Sequence, residues 1–173
     1  PLAAINTSNG TAWLLNSVWT TDYGSIANTY NHGQYMSYLI GDVIYFDANC
    51  QDHCNQSGVE LWAYNTSNNT GWLVKEINAN NTYQNYNANP GGYFSTLMGD
   101  TIYFSADSGN ASLGVELWAH NASNGTTWRV GHTNTTGTLP STNAFTSPGR
   151  DLGVIDEQFL VFDLSYQKVL YQI

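Results

Sequence analysis

A segment centred on Glu-Leu-Trp-Ala occurs twice in nearly the same form, and a shortened copy opens the chain. Residues 58–72 read GVELWAYNTSNNTGW, residues 114–128 read GVELWAHNASNGTTW, and residues 2–13 read LAAINTSNGTAW. The tryptophans that end the three copies, Trp13, Trp72 and Trp128, are 59 and 56 residues apart. A period of this size is typical of stacked supersecondary units, so the sequence indicates a repeat protein.

Each repeat contains four segments with the pattern of short antiparallel strands. An apolar run, a Gly-Asp pair and an aromatic run predict a hairpin over residues 35–46, again over 93–104, and in a degraded copy over 151–162. The Glu-Leu-Trp-Ala segment predicts a third strand. The tryptophan-led segments 72–77 and 128–130 predict a fourth. Since no segment has a useful helical period, we expect an all-β fold.

The repeated Glu-Leu-Trp core, followed by a turn and by Leu-Val-Lys-Glu-Ile, resembles the ELWxxDGT repeat proteins. The resemblance covers nearly the whole chain and is most specific at residues 60–62 and 116–118. It implies an extracellular or surface repeat protein with a propeller-like arrangement of four-stranded units. The Asp-Gly-Thr of that family is replaced here by Asn-rich turns, and the family implies little about activity.

One repeat unit is divided between the two ends of the chain. Residues 2–6 and 12–16 supply its last two strands, and residues 152–155 and 159–162 supply its first two, with a third at 168–173. We therefore expect one repeat domain, 1–173, of about three propeller-like blades, with units at 1–34 (partial), 35–92, 93–150 and 151–173 (partial). The first residue is Pro1, so the chain is expected to be processed or part of a longer protein.

About three blades are few for a closed ring, because propellers usually carry four to eight blades. Three arrangements satisfy the sequence: a small closed ring, part of a longer chain, or a module that neighbouring copies complete. Divided terminal strands leave open sheet edges, and such edges pair readily with another chain.

The composition excludes several classes of partner. Only 10% of the residues are charged, and four basic residues against 13 acidic ones give a net charge of −9. Nucleic acid is not an expected partner, because no basic stripe is present to bind phosphates. No apolar run approaches the roughly 18 residues that a membrane helix needs, so no membrane insertion is expected.

Asparagine in Asn-x-Ser/Thr sequons is unusually frequent. Ten sequons occur, at Asn6, Asn9, Asn55, Asn65, Asn68, Asn80, Asn110, Asn121, Asn124 and Asn134. Covalent N-glycans at these positions would offset the scarcity of charge on an exposed surface. The competing interpretation is that Asn, Ser and Gly are turn residues, since six of the ten come from one repeated turn.

Cys50 and Cys54 enclose His53 in a five-residue segment. A local disulfide in an oxidising, extracellular compartment is the favoured interpretation. Zinc is the alternative, although a structural zinc site normally takes four ligands and the sequence contains no second cysteine cluster.

Catalysis is not expected. Glu60 and Glu116 occupy matching repeat positions, so a glycosidase-like pair is conceivable, but structural hydrogen bonding is favoured. The four histidines have no recognisable partner, and no Gly-x-Ser-x-Gly segment occurs. The candidate metal ligands, in the loops after the aromatic strands, are a poor match to calcium spacing. They are Asp47, Asn49, Asp52, Asp107 and Asn110.

A non-catalytic, glycosylated structural module is therefore the expected function, with self-association through its terminal strands into a surface filament or similar assembly. The alternative is a carbohydrate-binding, lectin-like module, because tyrosines in the loops between units could stack on sugars. These tyrosines are Tyr23, Tyr30, Tyr83 and Tyr86.

Overall fold

The computed structural model describes residues 3–5, 8, 10–14, 19–20, 24–25, 33–49, 58–79, 87–110, 114–131, 153–155, 159–164 and 167–172. These residues form β-strands and turns, which confirms the all-β prediction. No helix in these ranges has the length and apolar character needed to cross a membrane.

The strands follow the repeat. In chain order they are β1 (Ala3–Ile5), β2 (Ala12–Leu14), β3 (Trp19–Thr20), β4 (Gly24–Ser25), β5 (Ser37–Ile40), β6 (Val43–Asn49), β7 (Val59–Asn65), β8 (Thr70–Lys75), β9 (Ser95–Met98), β10 (Thr101–Asp107), β11 (Val115–Asn121), β12 (Thr126–Gly131), β13 (Gly153–Ile155), β14 (Phe159–Leu164) and β15 (Gln167–Gln172).

Two four-stranded antiparallel sheets correspond to the two complete repeats. The first sheet has the order β5-β6-β7-β8, and the second sheet has the order β9-β10-β11-β12. Both carry a register irregularity at the same place, between Leu61 and Trp62 and between Leu117 and Trp118. Smaller sheets are β1-β2, β13-β14-β15 and β3-β4, of which the last was not predicted. The described sheets form no closed barrel or propeller, so the propeller-like arrangement stays a prediction.

The Gly-Asp pairs form the predicted hairpin turns. Gly41 and Gly99 have φ angles of 58° and 55°, and each separates two paired strands by two residues. A positive φ at the first turn residue matches the right-handed twist of the flanking strands.

The strands after these turns are longer than predicted. Asp47 and Asn49 are polar and suggest a loop in the sequence, yet β6 continues through both because they pair with Leu61 and Val59 of β7. Neighbouring strands therefore override local polarity at this point.

The two complete sheets pack face to face. Alternation along each strand places Tyr45, Leu61 and Ala63 on one face of the first sheet. They share one hydrophobic cluster with residues of the second sheet, namely Ile102, Phe104, Ala106 and Trp118. The aromatic strand residues Trp62, Trp118, Tyr45 and Tyr103 belong to the core, because each is at least 91% buried.

The packing is head to tail, because different faces of the two sheets meet. Tyr103, Leu117 and Ala119 are the repeat counterparts of the first sheet's contact residues, and they form a separate cluster with Phe94 on the opposite face of the second sheet. The face of the first sheet that contacts the second sheet is therefore repeated on the far side of the second sheet. Such heterologous contacts close into a ring or continue as an open array.

A connecting segment, residues 87–92, holds the two sheets together. The carbonyl of Val59 at the start of β7 accepts hydrogen bonds from the N–H groups of Ala88 (2.9 Å) and Asn89 (3.1 Å). The carbonyl of Ala88 accepts one from Asp107 at the end of β10 (2.9 Å). The segment thus bridges backbone groups of both sheets, which fixes their relative position.

Candidate functional site: the exposed asparagine turns and the buried acidic groups

The repeated asparagine turns lie at the exposed ends of β7 and β11. Ser67, Asn68 and Asn69 are exposed in the first complete repeat, and Ser123, Asn124 and Gly125 are exposed in the second. Each copy of the turn contains two sequons in succession. The residue after the asparagine of the second sequon has a left-handed backbone conformation in every copy, with φ of 70° at Gly10, 60° at Asn69 and 70° at Gly125. The three turns therefore share this backbone feature, and glycine or asparagine tolerates it at little cost.

Three sequon asparagines have the same side-chain contacts. The Oδ1 atom of each accepts hydrogen bonds from the backbone N–H and the side-chain hydroxyl of the sequon Ser or Thr. The hydroxyl distances are 2.6 Å at Asn65, Asn68 and Asn124, and the N–H distances are 2.9, 3.1 and 3.0 Å. These bonds orient the amide group, and they engage its oxygen rather than its nitrogen.

Asn121 is bonded differently, although its sequon is equivalent to that of Asn65. Its amide Nδ2 donates to Thr101 Oγ1 (3.0 Å), and the sequon hydroxyl of Ser123 donates to Asp100 instead. Asn121 is also only half-exposed. Nδ2 is the atom that an N-glycan would occupy, and at Asn121 it is engaged by Thr101.

The other predicted sites fall in two groups. Asn110 is exposed, and its carbonyl accepts a hydrogen bond from Gly114 N–H (3.1 Å). The remaining predicted residues lie outside the described residues and stay predictions. They are the sequon residues Asn6, Asn9, Asn55, Asn80 and Asn134, the cysteines Cys50 and Cys54, and the loop tyrosines Tyr23, Tyr30, Tyr83 and Tyr86.

Glu60 is a fully buried acid that holds the chain where it leaves the first sheet. Its Oε2 accepts the N–H of Ile77 (2.7 Å), and its Oε1 accepts the N–H of Asn78 (3.3 Å). Burial raises the pKa of Glu60 to about 8, although these N–H donors act in the opposite direction. At neutral pH the group is therefore largely a neutral carboxylic acid.

Glu116 occupies the matching position in β11 and is also fully buried. The backbone contacts of Glu60 agree with a structural role for this position. A glycosidase pair requires two carboxyl groups that face one bound sugar. Here the two acids lie on central strands of two different sheets, and neither side chain is exposed to solvent.

Asp47 and Ser105 are repeat counterparts that perform the same task with different chemistry. Asp47 Oδ1 accepts the N–H groups of Tyr35 (3.0 Å) and Met36 (2.9 Å). Ser105 Oγ accepts those of Tyr93 (3.0 Å) and Phe94 (3.2 Å). Asp47 is fully buried, so desolvation raises the pKa of its carboxyl group. This role was not predicted from the sequence. The 58-residue offset between Asp47 and Ser105 is a signal that could have predicted it.

We expect Asp47→Ala to lower the free energy of unfolding by about 1–3 kcal/mol, because it leaves buried N–H groups without an acceptor. Asp47→Ser should cost less than Asp47→Ala, since a serine hydroxyl accepts the corresponding N–H groups in the second sheet. Urea unfolding of the three proteins measures this difference. Equal losses for Ala and Ser would contradict the role assigned to Asp47.

The contacts of the aspartates also bear on the calcium hypothesis. Asp47 Oδ1 binds backbone N–H groups, and Asp107 Oδ1 accepts the N–H of Gly109 (2.8 Å). Within the described ranges, no three His, Cys, Asp or Glu side chains are grouped to hold a metal ion. Asp52 lies outside those ranges, as does His53 of the zinc alternative.

His120 belongs to the contact between the two sheets. It is buried, its ring lies 4.8 Å from that of Tyr45 between centroids, and its Nδ1 is 2.8 Å from Thr127 Oγ1. Desolvation lowers the pKa of His120 and so favours the neutral form of the ring. These contacts are those of a core residue.

The chain matches no protein-family model and no curated protein. The resemblance to ELWxxDGT repeat proteins thus rests on the motif residues alone.

Proposed function

We propose that the protein is a non-catalytic, extracellular and N-glycosylated structural module that assembles with further copies of itself. The observation that carries this proposal is the head-to-tail packing of the two complete sheets. The contact face of the first sheet, with Tyr45 and Leu61, is repeated by Tyr103 and Leu117 on the far side of the second sheet. A unit that repeats its own contact face suits an array or a ring.

The terminal strands supply the means of assembly. The N-terminal hairpin β1-β2 and the C-terminal sheet β13-β14-β15 belong to different sheets among the described strands. By sequence they correspond to the two parts of one repeat unit. Pairing of β1 from one copy with the C-terminal sheet of the next would extend that sheet through backbone hydrogen bonds, as in β-strand addition.

The repeated turns carry neutral polar side chains rather than charged ones. The chain carries few charges for its length, so solubility depends on neutral polar side chains. The exposed turns of both complete repeats concentrate such side chains at one end of each sheet. Glycans on these turns would keep that end hydrated while the terminal strands stay free to pair.

We expect the apparent mass of the chain to rise with concentration above the mass of its glycosylated monomer, of which the polypeptide contributes 19.1 kDa. Multi-angle light scattering after size-exclusion chromatography measures this mass, and electron microscopy of native material shows whether the product is a ring or a filament. A peptide of residues 1–16 should compete for the C-terminal sheet and shorten the assemblies, whereas a scrambled peptide of the same composition should not. A compact monomer at every concentration would overturn the proposal.

A further inference from the structure

The repeated turn contains a longer pattern than the sequon alone. Asn-x-Thr-x-Trp occurs in all three copies, at residues 9–13, 68–72 and 124–128. In each copy the residue between Asn and Thr has a positive φ, at Gly10, Asn69 and Gly125. A sequon needs only its hydroxyl residue, and a strand does not require an exposed tryptophan. The constant spacing therefore calls for a separate explanation.

The threonine connects the asparagine to the strand. Thr70 Oγ1 donates to Asn68 Oδ1 at 2.6 Å, and Thr126 Oγ1 donates to Asn124 Oδ1 at the same distance. Each asparagine side chain is thus held beside the first residue of β8 or β12. Its Nδ2, the other branch of the same amide group, makes no hydrogen bond with the described residues.

The tryptophan lies two residues further along the same strand. Trp72 pairs with Ala63 and Thr70 with Asn65 in regular register, so both side chains lie on one face of the sheet, about 7 Å apart along the strand. Trp128 and Thr126 have the same relationship in the second sheet. Trp72 is 37% exposed and Trp128 is 39% exposed. Two large indoles are therefore partly accessible to solvent, and each lies on the strand that begins at the threonine bonded to the asparagine.

We propose that Asn68 and Asn124 carry N-glycans whose first sugar packs its apolar face on the indoles of Trp72 and Trp128. A pyranose has C–H groups on one face, and aromatic rings bind such faces well. This inference rests on the N-glycosylation that is part of the proposed function. In it, the ligand of each tryptophan is a sugar that is covalently attached to the neighbouring turn.

The attachment is an ordinary glycosyl transfer by a transferase that uses an activated sugar pyrophosphate as donor. The bond between sugar C1 and the phosphate oxygen breaks, and its electron pair leaves with the pyrophosphate. The bond between C1 and Nδ2 forms, and Nδ2 loses one proton to a base of the transferase.

The test compares the full chain from a host that N-glycosylates with the same chain from a host that does not. Glycopeptide mapping by mass spectrometry establishes whether Asn68 and Asn124 are modified in native material. Unfolding of both forms is then measured for the wild type and for the double variant Trp72→Thr/Trp128→Thr. Leu39→Thr is the matched control, because Leu39 is 62% exposed and lies on the opposite edge strand β5.

We expect glycosylation to lower the unfolding equilibrium constant of the wild type and of Leu39→Thr by about 5- to 150-fold, since the two aromatic contacts should each contribute about two- to twelvefold. In the double tryptophan variant this gain should disappear. In NMR spectra of the glycosylated wild type, protons of the first sugar should shift upfield through the indole ring current. This second measurement applies even if the double variant does not fold.

Three results would overturn the inference: unmodified Asn68 and Asn124, an equal glycan effect in the double tryptophan variant, or first-sugar protons at the positions of a free glycan. None of these results would decide whether the chain assembles, because its apparent mass and the electron micrographs measure assembly independently.

Discussion

Replacing Gly91 by alanine is expected to lower the free energy of unfolding by about 2–5 kcal/mol, from left-handed backbone strain and overpacking together. Gly91 has a φ of 80° and donates its N–H to the Ser105 carbonyl (2.8 Å). A Cβ atom there would lie 2.8 Å from Met36 Cβ and 3.0 Å from Met36 Cγ. Because Met36 is 97% buried, it cannot move aside without disturbing the core between the sheets.

Gly33→Ala is the matched control for this experiment. Gly33 is the repeat counterpart of Gly91, has a φ of 60° and donates to the carbonyl of Asp47 (2.7 Å). An added Cβ there would meet nothing closer than 3.6 Å. Only the strain of the left-handed backbone then applies, about 1–2 kcal/mol. Urea unfolding curves measure both losses, and equal losses would show that the approach to Met36 contributes nothing.

Replacing Glu60 by glutamine is expected to change how stability depends on pH. The pKa of Glu60 is raised from 4.5 to about 8 in the folded protein, so its protonated form stabilises the fold. This stabilisation is complete below pH 4.5 and is lost as the pH rises through 8. The loss is about 1.4 kcal/mol per pH unit and reaches at most about 5 kcal/mol across the window.

Glutamine has a similar shape and does not ionise, so the Glu60→Gln variant should gain stability relative to the wild type as the pH rises from 4.5 to 8. The relative measurement is needed because the raised pKa of Asp47 and the lowered pKa of His120 add their own pH dependence to both proteins. Urea unfolding at several pH values gives the difference directly. The Asp42→Asn variant, at the exposed first hairpin turn, shows how much of the change in stability with pH comes from net charge alone. A difference that stays constant over this range would contradict a buried, protonated Glu60.

Much of the fold could be predicted from local sequence. The Gly-Asp pairs give two-residue hairpins because glycine accepts a positive φ at the first turn position. Tyr45 and Trp62 lie on opposite faces of the first sheet, and both are in the core because β6 and β7 are buried on both faces. Prediction failed where polar residues continue a strand. Asp47 resembles a loop residue, yet partners in β7 extend β6 past it.

The candidate site was only partly predictable. The sequons and the exposure of their turn follow from residue type, whereas the difference between Asn68 and Asn121 does not. Asn121 Nδ2 donates to Thr101, a residue on the neighbouring strand β10. That contact depends on the register of β10 and β11, which pairs Thr101 with Asn121, 20 positions further along the chain.

The sequence by itself determined the repeat, the strands, the hairpin turns and the positions of the sequons, because each depends on a few adjacent residues. Only the tertiary structure decided that the sheets pack head to tail, that Glu60 and Asp47 hold backbone N–H groups, and that Gly91 must lack a side chain beside Met36. These features join residues from different strands or sheets, so no local pattern encodes them. The Glu-Leu-Trp segment is an example of each kind. Its period indicates the repeat, whereas the contacts of Glu60 with backbone N–H groups depend on how the chain folds around it.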